Sequence, residues 1–142
     1  MNCLKAGFAR VNINPEMGIP IRGYFIERLA DGILDDIEVN VLALECNNEK
    51  VLLISVDNCG IEQDLSLDYR KMVSEKTGVK MEHILISATH THNAPEAVKN
   101  SGNELVKTYT QFLGKRIVDA ADFAIEDLKE AKMGYGKGSA PN

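Results

Sequence analysis

The chain has 142 residues, 44% of them apolar and 26% charged, which is typical of a globular protein with one hydrophobic core. A formal net charge of −5 and the lack of a basic stripe argue against a nucleic acid as a partner. No apolar stretch reaches the roughly 18 residues of a membrane span, and the N-terminus lacks the apolar segment of a signal peptide. We therefore expect a single domain over residues 1–142, no membrane span and, by default, a cytoplasmic location.

The first half of the chain predicts three strands. Residues 4–13 form an apolar stretch that ends at Asn14-Pro15, and the glycines and prolines of residues 16–35 predict a long loop. Loops of this length are often functional, and the polar and aromatic side chains of this one either line a pocket or are solvated. They are Tyr24, Glu27, Arg28, Asp31 and Asp35. Strand-like residues 37–44 and 51–56 flank the turn residues 47–50 and predict a β-hairpin.

The second half predicts a helix, a strand, a longer helix and a last strand. Asp64 is the expected N-cap of the first helix and Gly78 its stop. Residues 84–86 form the next strand, and Ser101 and Glu104 match the capping box of the longer helix. Residues 133–136 are expected to begin the last strand.

This element order predicts the fold class. The apolar runs 51–56 and 84–86 are typical of strands that are covered on both faces and paired in parallel through a crossover helix. The order β-loop-β-β-α-β-α-β therefore indicates an α/β fold, on the border of α+β. We expect a mixed β-sheet with two main helices packed on it.

Two of the three histidines lie where the strand at residues 84–86 ends, in the sequence His90-Thr91-His92. Side chains two residues apart share a face of an extended chain, so both imidazoles are expected on one side, where they can bind one metal ion. Parallel neighbours end at the same edge of a sheet, where ligands bind, so Asp57 is expected nearby. Asp57 then either accepts the second ring N–H of a ligating histidine or caps backbone N–H groups.

The cysteines, Cys3, Cys46 and Cys59, lack metal-type spacing and are expected to be reduced thiols without a role.

Residues 84–95 resemble the His-Thr-His-Ser-x-Pro signature of the neutral/alkaline (non-lysosomal) ceramidases. The resemblance extends, in the same order, to most of the chain. Residues 6–15 resemble that family's opening strand, 18–24 the loop after it, 31–35 its Gly-x-His-Asp turn, 54–57 its Ser-x-Asp strand end, and 134–138 the strand after its long helix. The sequence departs from the family pattern at Asn93, where Ser is usual, and at Leu34, where His is frequent.

The resemblance implies a zinc-dependent amidase that cleaves the N-acyl bond of ceramide or a related lipid or small molecule. By position, His90 is the zinc ligand, and His92 is the catalytic residue that contacts the substrate or its developing oxyanion. Zinc lowers the pKa of its bound water from 15.7 to about 7, which supplies hydroxide near neutral pH. The family is often secreted, and the resemblance leaves secretion as the alternative to the cytoplasm.

The family's other ligands, a second His, a Glu and a Tyr, come later in the chain. We therefore expect the N-terminal portion of a longer ceramidase-like catalytic domain, with weak or absent zinc binding and little activity as this chain alone, because three protein ligands are usual. The rest of such a domain would cover an apolar surface of this chain. When that surface is exposed, the chain is expected to self-associate. The alternative is a stand-alone α/β binding or assembly module with a vestigial His-x-His site. A metal-dependent (β/α)₈ barrel is disfavoured, because it needs roughly 250 residues.

Overall fold

The computed structural model describes residues 4–140, which form five strands, two α-helices and one short 3₁₀ turn. Cys3 lies outside the described residues. No helix among residues 4–140 is long and apolar enough to cross a membrane. The elements in chain order are β1 (Lys5–Asn12), β2 (Glu38–Cys46), β3 (Glu49–Val56), α1 (Gln63–Thr77), the 3₁₀ turn (Met81–His83), β4 (Ile84–Ala88), α2 (Glu104–Glu126) and β5 (Lys129–Glu130).

The five strands form one mixed sheet in the order β4-β3-β2-β1-β5. β3 and β4 are parallel and joined through α1, whereas the other neighbouring strands are antiparallel. The predicted α/β fold with a mixed sheet and two helices is therefore confirmed. The β2–β3 hairpin is also confirmed: its two turn residues, Asn47 and Asn48, have φ values of 51° and 65°, which suit a tight hairpin turn.

Both helices share one core with one face of the sheet. α1 contributes Leu65, Tyr69 and Val73 to this core, at the spacing of one helix face. Burial raises the pKa of the Tyr69 phenol, whose O–H donates to the Thr110 carbonyl of α2 at 2.7 Å. The buried stripe of α2 includes Tyr109, Leu113, Ile117, Ala120 and Ala124.

The helix starts differ from the prediction. Asn103, and not Ser101, is the N-cap of α2: its Oδ1 accepts hydrogen bonds from the Leu105 and Val106 N–H groups. Ser101 instead accepts from the Asn103 N–H. At α1 the N-cap position is Glu62, which forms no side-chain cap, while Asp64 lies within the first turn. Asn and Ser are both strong N-caps, so the local sequence does not decide which one the helix uses.

The other face of the sheet is not covered by any described residue, which contradicts the expectation of strands buried on both faces. One row of apolar side chains crosses it, because Phe8, Leu42, Leu53 and Leu85 are successive cross-strand partners. Phe8, Leu53 and Leu85 are 62%, 38% and 59% exposed. The strands are apolar on both faces as the sequence indicated, yet both helices lie on one of them.

The last strand was also placed wrongly. β5 consists of Lys129 and Glu130, which pair with Ala6 and Lys5 directly after α2, and residues 131–140 have no regular structure. Three alternate glycines in residues 134–138 leave that segment few side chains to pack against a neighbour.

The end of α2 lies so close to β1 that only glycine fits at position 7. A Cβ atom there would lie 2.1 Å from the Ala124 carbonyl oxygen and 2.8 Å from the Leu128 nitrogen. Both are backbone atoms, so no side-chain rotation can relieve the collision. The carboxylate of Asp127 accepts the Phe8 N–H at 3.0 Å beside this contact, and that hydrogen bond lowers the Asp127 pKa.

We predict that Gly7→Ala destabilises the fold by at least about 2 kcal/mol, in the upper range for overpacking, because α2 and β1 must move apart. Chemical denaturation followed by circular dichroism measures this change. Gly102→Ala is the matched control, since a Cβ at position 102 would meet nothing within 4 Å. A Gly7→Ala protein as stable as the control would contradict the close approach of α2 and β1.

Candidate metal centre

The parallel pairing of β3 and β4 brings the loops after both strands together. The Thr89 N–H donates to the Val56 carbonyl and the His90 N–H to the Asn58 carbonyl, each at 3.0 Å. Asn58 is fully buried, and its side-chain amide donates to the Pro95 carbonyl at 3.1 Å. The loop that follows β3 therefore fixes the backbone that carries the histidines.

His90 adopts a left-handed backbone conformation with φ of 63°, uncommon for residues other than glycine and typical of functional sites. Its Nδ1 lies 2.6 Å from the carbonyl oxygen of Cys59. A carbonyl can only accept, so Nδ1 carries a proton, and in the neutral ring it is Nε2 that has the lone pair. This is the tautomer that a ligating histidine needs, with its second ring nitrogen bonded to a carbonyl.

The ring of His92 lies against that of His90, with centroids 5.0 Å apart and Nε2 atoms 3.5 Å apart. The structure thus brings the two imidazoles together as predicted. The extended backbone assumed in that prediction is absent, because β4 ends at Ala88 and His90 turns into the left-handed region.

The long loop before β2 packs against His92. Gly23, with φ of 108°, lies so close that a Cβ there would be 2.6 Å from the His92 Cγ. The ring of Tyr24 meets His92 edge-on at 5.9 Å, and the Arg28 guanidinium lies 4.2 Å over the Tyr24 ring. Loop residues therefore hold the second imidazole, whereas the loop after β3 holds the first.

A third donor lies beside the two imidazoles. The Sγ of Cys59 and one ring nitrogen of each histidine all lie within 4.8 Å of one another. Two nitrogens bound to one tetrahedral zinc at 2.0–2.1 Å are about 3.4 Å apart, close to the Nε2 separation seen here. The described residues therefore fit a zinc ion. Sequence reasoning missed Cys59, and its one signal was its place just after a strand parallel to the one that precedes His90.

Asp57 does not orient either histidine. Its Oδ2 accepts the backbone N–H of Glu38 at 3.0 Å, and its own N–H donates to the Glu38 carbonyl at 2.9 Å. The carboxylate thus links the end of β3 to the start of β2. Accepting a backbone N–H was the second of the two roles that the sequence allowed for Asp57. The ring N–H of His90 donates to the Cys59 carbonyl instead of to Asp57.

A cleft of about 570 Å³ lies between the long loop and the segment of chain that carries the two histidines. Thr91 and Asn93 line it, whereas His90 and His92 do not. Of the loop residues that were candidates for a pocket, three line this cleft: Arg28, Asp31 and Asp35. Tyr24 packs on His92 instead, and Glu27 is exposed.

Comparison with solved structures gives a clear match to one architecture. The structure of neutral ceramidase from Pseudomonas aeruginosa superposes with a TM-score of 0.78 over 92% of this chain, at 19% sequence identity. The chain has the fold of one part of neutral ceramidase. A ceramidase complexed with C2 matches equally well, and the chain spans 22% of the length of each. No protein-family model matches the sequence. At this identity the likeness shows the fold, and it confirms the resemblance found in the sequence at that level.

We predict that Gly23→Ala displaces the His92 ring, because the added Cβ would overlap the imidazole. Histidine side-chain NMR resonances measure this displacement. The His92 signals are expected to shift, while those of His83, which pairs with Glu49 away from the site, stay in place.

Gly18→Ala is the control for backbone strain at position 23. Gly18 also has a positive φ, 83°, but a Cβ there would meet only the Leu105 Cδ1 at 4.0 Å. Equal His92 shifts in both variants would show that strain in the loop, and not contact with the ring, moves the imidazole.

Proposed function

We propose that the chain is the N-terminal part of a zinc-dependent amide hydrolase that resembles neutral ceramidase. The observation that carries the proposal is the pair of imidazoles, with Nε2 atoms 3.5 Å apart, at the carboxyl end of a parallel strand pair. The fold shared with neutral ceramidase supports it, although the chain spans only 22% of that enzyme. The substrate class is an N-acyl compound, ceramide or a related lipid.

In this proposal His90 holds the zinc ion through Nε2, because its Nδ1–H is engaged by the Cys59 carbonyl. Bound zinc polarises an amide carbonyl and supplies hydroxide near neutral pH. His92 is held beside it by Gly23 and Tyr24, within reach of a substrate oxygen, where its ring N–H donates to the developing oxyanion. The ligands still needed for a complete active site come from further polypeptide.

The test is amide hydrolysis by the complete polypeptide that the gene encodes. We predict that the zinc-loaded protein releases fatty acid from an N-acyl sphingoid substrate, and that the 142-residue chain alone stays near background. His90→Ala is expected to lower the rate by about 100-fold or more, since loss of even a partner to a ligand costs up to about 100-fold.

His83→Ala is the matched control, because His83 pairs with Glu49 and is expected to leave the rate unchanged. Turnover by the 142-residue chain alone would contradict the proposal. So would a gene that supplies no further His, Glu and Tyr, and that result would favour a binding or assembly module.

The uncovered sheet face supports a longer protein. We propose that further polypeptide covers the apolar row of Phe8, Leu42, Leu53 and Leu85, and that a second copy covers it when the chain is alone. A row of apolar side chains across four strands is a surface that soluble monomers seldom expose.

We predict that the isolated chain self-associates with rising concentration and that the double variant Phe8→Ser/Leu85→Ser is monomeric. Light scattering after size-exclusion chromatography measures both. Leu67→Ser is the control, since Leu67 is similarly exposed, at 41%, but lies on α1. A wild-type chain that remains monomeric throughout would overturn self-association.

A further inference from the structure

We propose that the free edge of β4 is the place where a strand of further polypeptide joins the sheet. β4 lies at one end of the sheet and, among residues 4–140, only β3 pairs with it. Such an edge presents a row of unpaired N–H and C=O groups, which is a template for another strand. The inference rests on the part of the proposed function that gives the protein further polypeptide, and it requires neither zinc nor amide hydrolysis.

The direction of the β4 backbone groups follows from one hydrogen bond. The Thr89 N–H donates to the Val56 carbonyl of β3 at 3.0 Å. Alternate residues of a strand direct their N–H and C=O groups to opposite neighbours. The backbone groups of Ser87 therefore also bond to β3, whereas those of Ile86 and Ala88 point away from it. Among residues 4–140, no loop or side chain is hydrogen-bonded to the backbone of Ile86 or Ala88.

The opposite edge of the sheet is closed by the chain itself. β5 pairs with the start of β1, and next to it the Asp127 carboxylate accepts the Phe8 N–H at 3.0 Å. At the other end of β1, the Nε of Arg116 donates to the Asn12 carbonyl at 3.4 Å. Charged side chains thus occupy the outward backbone groups of β1 and leave no template there for another strand.

The sequence of β4 lacks the usual protections of an edge strand. Its five residues, Ile84–Ala88, include neither a charged residue nor a proline. Leu85 is 59% exposed and stands at the end of the apolar row that begins at Phe8. An added strand with an apolar side chain beside Leu85 would continue that row, so the edge and the open face favour the same kind of partner.

Further polypeptide is the occupant that the comparison favours. The chain shares its fold with one part of neutral ceramidase and spans 22% of that enzyme's length. Whichever way the added strand runs, one of its ends lies beside the end of β4, from which the chain continues to His90. The strand would therefore bring the residues that flank it next to the candidate site.

The experiment is hydrogen exchange, resolved for single amides, on the 142-residue chain and on the complete polypeptide that the gene encodes. In the chain alone, the amides of Ile86 and Ala88 are expected to exchange rapidly, while that of Ser87 is protected. In the complete polypeptide, the Ile86 and Ala88 amides are expected to exchange at least about 10-fold more slowly, because each gains a hydrogen-bond acceptor. The Phe8 amide is the reference, since Asp127 protects it in both proteins.

Ala88→Pro tests the same edge by removing one of its N–H groups. The 142-residue chain is expected to keep its midpoint of thermal unfolding, because this N–H has no partner there, whereas the midpoint of the complete polypeptide falls. Ser87→Pro is the matched control. It removes an N–H that bonds to β3 and is expected to destabilise both proteins.

Rapid exchange at Ile86 and Ala88 in the complete polypeptide would overturn the proposal. Slow exchange of these amides in the chain alone would also overturn it. Slowing that increases with concentration would identify a second copy as the occupant, and slowing at every concentration would show that the chain covers its own edge. A complete polypeptide that protects both amides but releases no fatty acid would support the added strand and contradict the amidase, so the two proposals fail separately.

Discussion

The site depends on one constraint, the parallel pairing of β3 with β4. Parallel strands end at the same edge of a sheet, so the pairing of Val56 with Ala88 places the two following loops side by side. Backbone hydrogen bonds from Thr89 and His90 to the β3 end then lock one loop on the other. An antiparallel β4 would carry His90 to the opposite edge of the sheet, away from Cys59. The crossover through α1 is therefore what assembles the three donors.

The two faces of the sheet differ in burial, because both helices pack on one of them. α1 and α2 cover one face and supply the core, while the apolar row from Phe8 to Leu85 remains open on the other. Such a row costs free energy in water, because apolar area is favourable only when it is buried. The exposed apolar row and the group of Cys59, His90 and His92 at the end of the parallel strands are therefore the two features on which the proposed function rests.

The sequence predicts the scaffold better than the site. Alternation, apolar runs and turn residues depend on neighbours in the chain, so the hairpin, the parallel pair and both helices were predictable. The His90-Thr91-His92 cluster was also recognisable, since it directly follows a strand. Gly23 was not, because it meets His92 only after the long loop packs on residues 94–95 through Ile21 and Arg22. Cys59 was not, because it lies beside the histidines only after the loops that follow β3 and β4 come together. The sequence did not decide the role of Asp57, because its position at the end of β3 is compatible with two partners, a ligating histidine and the Glu38 N–H.

The left-handed backbone of His90 means that the two imidazoles do not have the spacing of an extended chain. An extended chain would set neighbouring same-face side chains about 7 Å apart, since a strand rises about 3.3 Å per residue. His90 instead has φ of 63°, and the Nε2 atoms of the two rings are 3.5 Å apart. The strain is held by two hydrogen bonds from His90, one from its N–H to Asn58 and one from Nδ1 to Cys59. A local conformation that propensity disfavours is thus found at the residue whose ring nitrogen lies 3.5 Å from that of His92.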